Sequence, residues 1–210
     1  MEIHNGIRER LEQAISEKVF PGCAFALVSK DVVDTFALGG FTYEPDAPRV
    51  TPNPLYDVAS LTKIMAPMAI ALQLVDEGVL DREEPLSTYL PEFSNTPFRR
   101  EVRVKHLLSY TLDYALEGGA KSFMEGKSPR EFHDALLALD LEQAPGTSYR
   151  YSNVTAFLVT ALIERVTGRS LAVLFQERIA KPLGMTSATF APELREAIPP
   201  TETSLERGLV

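Results

Sequence analysis

Tryptophan is absent from this 210-residue chain, cysteine occurs once and histidine three times. A single cysteine excludes an intramolecular disulfide, and the apolar setting Cys23-Ala24-Phe25-Ala26-Leu27-Val28 predicts a buried structural thiol. His4, His106 and His133 share no mutual spacing and no neighbouring ligands of the kind a metal site needs, so they read as structural or surface residues, with no metal expected. Positive charge is the minority: 21 Lys and Arg stand against 29 Asp and Glu, for a formal net charge of -8. Such a chain has no electrostatic means of gripping a phosphate backbone or anionic lipid, so neither nucleic acid nor a membrane surface is an expected partner. Long hydrophobic runs are missing too. The most apolar stretch, Ile64 to Val75, falls short of the roughly 20 residues that cross a bilayer and contains Pro67 and Gln73. Met1-Glu2-Ile3-His4-Asn5 has no basic region leading into an apolar run, so no secretory signal is read there and the cytoplasm is the expected compartment.

What is present is the balance of a globular protein, 45% hydrophobic and 24% charged residues, with enough apolar material for a sizeable core. Ile7, Leu11, Ala14 and Ile15 recur at helical spacing among Arg, Glu and Gln, which predicts an amphipathic helix ended by Phe20-Pro21-Gly22. Cys23 to Ser29 and Val32 to Leu38 are short runs rich in Val, Phe and Ala, split by Lys30-Asp31 and closed by Gly39-Gly40, which predicts a β-hairpin. Leu61 to Gly78 then reads as a mostly buried helix, with Gly78 as its stop. Further helices are expected over Val104 to Ser109, Pro129 to Leu139, Val154 to Val166 and Leu171 to Ile179, with Gly168 capping the third and Pro182 and Gly184 ending the fourth. No internal repeat or linker is visible.

Ser60-Leu61-Thr62-Lys63 sits where an irregular stretch gives way to the buried helix, so the Ser60 hydroxyl is expected at a helix start with Lys63 one turn on, on the same face. A serine hydroxyl is a poor nucleophile until a neighbour can take its proton, and an amine in a low-dielectric cleft can be tuned to that task. The helix-start N–H groups also favour developing negative charge. Taken alone, the pattern has a plainer reading: serine is a preferred N-cap and lysine one turn on an ordinary solvated residue. A possible partner is Tyr151-Ser152-Asn153, which follows the Pro145-Gly146 turn and again precedes a helix. A phenol beside an ammonium loses its proton more easily, which makes Tyr151 a candidate base or proton shuttle. The Asn153 amide can both donate to and accept from a substrate. The plainer reading for Ser152 and Asn153 is helix capping, and for Tyr151 a rim residue.

These residues resemble the serine β-lactamases, penicillin-binding DD-peptidases and related esterases, most closely their class C-like branch. The resemblance extends along Tyr56-Asp57-Val58-Ala59-Ser60-Leu61-Thr62-Lys63 and Ala144-Pro145-Gly146-Thr147-Ser148-Tyr149-Arg150-Tyr151-Ser152-Asn153, with Ile179-Ala180-Lys181-Pro182-Leu183-Gly184-Met185 and Pro200-Thr201-Glu202 as further landmarks. It implies an acyl-enzyme on Ser60, proton handling by Lys63 and Tyr151, substrate binding by Asn153, and the Ser60 N–H as one oxyanion donor. It also implies an α/β (α+β) fold: an α/β lobe whose sheet includes the hairpin, and an all-helical lobe, with the site in the cleft. On that basis residues 1–80 are expected to form a partial α/β lobe carrying the nucleophile helix, residues 81–194 the helical lobe, and residues 195–210 the return to the first lobe. The expected substrate is a small ester, amide or β-lactam, with no cofactor.

The family's third motif, a Lys-Thr-Gly or similar triplet on a late strand, has no counterpart before Val210. The expectation is therefore a chain lacking the carboxy-terminal strands, or a half completed by another copy or another chain across the exposed hairpin edge. A non-catalytic interaction module that keeps the scaffold is the alternative. A smaller departure lies at His106-Leu107-Leu108-Ser109-Tyr110-Thr111-Leu112-Asp113, where relatives often carry a His and then Ser-Gly, and which is expected to reshape the cleft entrance.

Overall fold

In the computed structural model the described residues are 2–30, 32–52, 55–116, 122–123, 125–192, 198–199, 203–204 and 208–209. They fall into two compact units, Met1–Val58 with Ala191–Val210, and Ala59–Phe190.

The first unit holds helix α1 (Glu2–Ser16) and the hairpin of β1 (Gly22–Val28) and β2 (Val33–Gly39), paired antiparallel from Gly22 opposite Gly39 to Val28 opposite Val33. The end of the hairpin away from its turn demands glycine at both positions. Gly39 has φ of +74°, and a Cβ there would come within 2.2 Å of the Pro21 carbonyl, while one on Gly22 would come within 2.4 Å of the Gly40 carbonyl. Phe25 stacks on Phe36 across the strands, and the Arg8 guanidinium lies over the Phe36 ring at 5.3 Å, which brings α1 against β2. A second two-residue pair joins β3 (Thr203–Ser204) to β4 (Gly208–Leu209). Cys23 departs from expectation. It is half-buried rather than buried, and that partial burial raises its thiol above the usual value. The landmark Pro200-Thr201-Glu202 lies outside the described residues, as does the His4 side chain.

The second unit is helical. The expected helix from Leu61 is built of three geometries: α2 (Leu61–Lys63), a π segment Ile64–Met68, and α3 (Ala69–Asp76). Pro67 explains the interruption, since it has no N–H to donate and its ring crowds the preceding turn. Short helices α4 (Pro97–Glu101) and α5 (Val104–Leu108) follow, then α6 (Pro129–Ala138), α7 (Asn153–Thr167) and α8 (Leu171–Phe175), the last running into a π segment Gln176–Ala180. The sequence pattern missed α4. Ser128 starts α6 as a reciprocal cap: its hydroxyl accepts the Glu131 N–H at 3.3 Å and its own N–H donates to the Glu131 carboxylate at 2.8 Å, with Pro129 in the first turn. Gly168 caps α7 with φ of +66°, as expected.

The core of this unit joins both ends of its sequence. Ile70 and Leu74 of α3 are buried in one cluster with Leu107 of α5, Leu136 of α6, and Leu158 and Leu162 of α7. That packing groups residues 59–80 with the helical unit, whereas the sequence reading assigned them to the sheet lobe. Burying each such side chain contributes about 1.5–3 kcal/mol. Arg99 is the one buried cation among the described residues, 1% exposed. Its guanidinium donates to the carbonyls of Glu92, Leu137 and Ala138 and lies over the Phe93 ring at 4.4 Å. It ties α4 to the end of α6 by satisfying carbonyls that a helix terminus leaves unpaired. No helix among the described residues is long and apolar enough to cross a membrane.

Candidate active site

All four residues singled out from the sequence lie in the second unit. Ser60 stands immediately before α2, but its hydroxyl makes no capping hydrogen bond. The plain N-cap reading therefore fails for this serine. Its oxygen instead accepts from Lys63 Nζ at 2.8 Å, the contact that one turn of helix makes available. Ala59, just before it, has φ of +46°, a left-handed conformation that costs a non-glycine residue about 1 kcal/mol or more. The Ser60 N–H has no acceptor among the described residues, so it is free to donate to a bound group.

Tyr151 arrives from the distant loop before α7 and completes the cluster. Hydrogen bonds from the Ser60 hydroxyl, then from Lys63, together with the positive charge of Lys63, hold its phenol below the usual value against a smaller effect of desolvation. Lys63 Nζ also lies 5.4 Å from the Tyr151 ring centre. The ring is 58% exposed, so a substrate can reach it. Ser152 is a helix cap, accepting the Val154 N–H at 3.1 Å. Asn153, the first residue of α7, is half-buried, and its side-chain amide makes no hydrogen bond to the described residues, which leaves it available to a ligand.

Two residues that meet the Tyr151 loop escaped the sequence reading. Tyr110 stacks on it with ring centres 5.8 Å apart and planes 11° from parallel, and holds φ of +55° to do so. Burial first, then Tyr151 and Tyr149, push the Tyr110 phenol up, so two stacked phenols titrate in opposite directions. Asp113 accepts from Arg150 Nε at 3.0 Å and Gln143 Nε2 at 2.8 Å. The signal available in the sequence was the departure at residues 106–113, which faces the Tyr151 loop. His106 belongs to the same support. Its Nδ1 accepts the Arg103 N–H at 3.1 Å, and burial, then Lys105 and Arg103, hold its pKa down against the opposing charge of Glu83. His133 is exposed, and no group of His, Cys, Asp and Glu that could hold a metal occurs among the described residues.

Residues 7–208 match the Beta-lactamase family, and the chain belongs to that family. A protein of Escherichia coli (strain K12), provisionally named D-alanyl-D-alanine carboxypeptidase, is 29% identical over 161 residues, which is 70% of this chain and 36% of that protein. A related protein of Salmonella typhimurium with the same provisional name is 28% identical over 75% of this chain and 39% of its own length. The chain thus spans under two-fifths of the length of these curated relatives. Among solved structures, "EstCE1, a hydrolase with promiscuous acyltransferase activity" superimposes with a TM-score of 0.79 at 22% identity, over 97% of this chain and 57% of that one. The octameric penicillin-binding protein homologue from Pyrococcus abyssi gives the same TM-score at 25% identity, over all of this chain and 50% of that one. The fold is that of the β-lactamases and DD-peptidases, as the resemblance implied.

Proposed function

We propose that this protein is a serine hydrolase that transfers the acyl group of an ester, amide or β-lactam to Ser60 and then to water. The observation that carries the reading is the Ser60 hydroxyl held between Lys63 Nζ at 2.8 Å and the depressed phenol of Tyr151. Lys63 donates to Ser60 Oγ, so in this arrangement Tyr151 is the group that takes the serine proton. Ser60 Oγ attacks the carbonyl carbon while its proton passes to the Tyr151 phenolate, and the Ser60 N–H faces the developing oxyanion. Collapse of the tetrahedral adduct expels the leaving group, which takes the proton from Tyr151. Water, deprotonated by the same phenolate, then attacks the ester on Ser60 and regenerates the hydroxyl. Lys63 favours the phenolate each time Tyr151 gives up its proton, and Asn153 offers its amide to the substrate's acyl side. The names of the relatives, a carboxypeptidase and an acyl-transferring hydrolase, support this class of substrate.

Incubation with a fluorophosphonate and a fluorescent penicillin, followed by intact mass and peptide mapping, tests the reading. An adduct on Ser60 that Ser60→Ala abolishes is the expected result. Folded protein that takes no label from either probe overturns it, and points to the second reading, an interaction module. That reading draws on the hairpin, where β1 pairs only with β2 among the described residues and Val28 and Val33 are each 69% exposed.

A further inference from the structure

We propose that Asp113 is a positioning residue for Tyr151: its carboxylate clamps both ends of the loop at residues 143–150 and thereby presents the phenol to Ser60 and Lys63. The inference rests on the reading of Tyr151 as the proton acceptor. Asp113 Oδ2 accepts from Gln143 Nε2 at 2.8 Å near the start of the loop and from Arg150 Nε at 3.0 Å at its end. Gln143 Nε2 also donates to Ser148 Oγ at 2.8 Å, closing the loop on itself, and the Asp113 carbonyl accepts the Glu142 N–H at 2.9 Å. Two backbone bonds lie between these clamps, Gly146 N–H to the Thr111 carbonyl at 2.9 Å and Arg150 N–H to the Tyr110 carbonyl at 2.8 Å. Arg150 is covalently next to Tyr151, so a displacement of the guanidinium end is carried directly to the phenol. The pair is not a core element. The Asp113 side chain is 26% exposed and that of Arg150 58%, the range in which an ion pair adds little to global stability. What it supplies is a fixed place for one side chain.

The groups facing Tyr151 determine the test. Ser60 faces it from just before α2 and Lys63 from α2, Tyr110 from the loop after α5, and Tyr149 and Arg150 flank it on its own loop. Removing a nearby negative charge would by itself lower a phenol pKa. In Asp113→Ala loss of position does the opposite, because hydrogen bonds from Ser60 and Lys63 are lost, so there the sign of the shift separates the two; in Arg150→Met the lost positive charge by itself raises the pKa, and the labelling rate is the readout.

The experiment uses the intact chain with 3-fluorotyrosine at position 151, its fluorine resonance followed against pH, alongside saturation kinetics of fluorophosphonate labelling. Asp113→Ala and, independently, Arg150→Met are each expected to move the Tyr151 midpoint upward, towards free fluorotyrosine. Both are expected to lower the maximal labelling rate by about tenfold to a hundredfold, with the half-saturating probe concentration and Tm little changed. Asp113→Glu, which retains the carboxylate, is expected to recover most of the rate. A midpoint that stays put or falls in Asp113→Ala overturns the inference, as does a parent chain whose Tyr151 titrates like the free amino acid. If the parent never labels while its Tyr151 titrates low, the hydrolase reading fails alone and the fluorine titration still decides the role of Asp113.

Discussion

Replacing Tyr151 by Phe isolates the phenolic oxygen. The ring remains, and with it the stack on Tyr110, 5.8 Å between centres at 11°, and the face turned to Lys63 at 5.4 Å. What goes is the acceptor of the Ser60 proton. The remaining neighbour, Lys63 Nζ at 2.8 Å, donates to Ser60 Oγ and accepts a proton only after losing its own. A positioned general base contributes about 10²–10⁴ in rate, or about 2.7–5.4 kcal/mol at about 1.36 kcal/mol per decade. We expect about a hundredfold slower labelling at neutral pH, the lower end of that range, because the Lys63 amine can substitute inefficiently. The pH dependence carries the sign. In the parent the competent form is the phenolate, so the rate rises with pH, and the hydrogen bonds that depress the phenol place the half-rise below the free value of about 10. In Tyr151→Phe that half-rise disappears. Labelling with a fluorophosphonate, quenched over time from neutral to alkaline pH, measures both quantities. Equal rates in parent and variant, with superimposable pH profiles, would refute the assignment of Tyr151 as the base.

Two further outcomes concern stability. Arg99→Met keeps the apolar stem but strips the Glu92, Leu137 and Ala138 carbonyls of a charged donor, so we expect a loss of about 3 kcal/mol, read as a lower urea midpoint; an unchanged midpoint would show that those carbonyls find other donors. Tyr114 is buried with its hydroxyl 3.0 Å from the Thr155 hydroxyl, and burial drives its phenol well above the usual range, with the Thr155 bond opposing. The folded pKa exceeds the unfolded one, so its contribution is fully present below about pH 10 and is lost as pH rises beyond it, by up to about 1.4 kcal/mol per pH unit. Tyr114→Phe should flatten that alkaline slope, and an identical slope would place the effect elsewhere.

How much of this was legible beforehand follows from the range of the interactions. The contact between Ser60 and Lys63 is local, one turn of helix, and four letters suffice to predict it. The hairpin and the Gly168 cap are likewise short-range, because alternation and a left-handed C-cap are written within a few residues. Even there the sequence could not say whether the Ser60 hydroxyl caps a helix or turns to Lys63; the absence of a capping bond and the 2.8 Å contact with Lys63 decide that.

The rest depends on residues far apart in the chain. The stack of Tyr110 on Tyr151, the clamp of Asp113 on Arg150 and Gln143, and the buried Arg99 all join segments whose encounter is set by the packing of α3, α5, α6 and α7 around one core. Local pattern also missed the π segment at Pro67, since whether a proline ends a helix or is absorbed within it depends on what packs around the interruption. The sequence by itself determined which chemistry is available, a serine and a lysine one turn apart and a tyrosine before a later helix. Only the tertiary structure decided that the tyrosine meets them and how it is held, because hydrogen bonds and aromatic contacts act over a few ångströms and the chain between Lys63 and Tyr151 must fold before they can form.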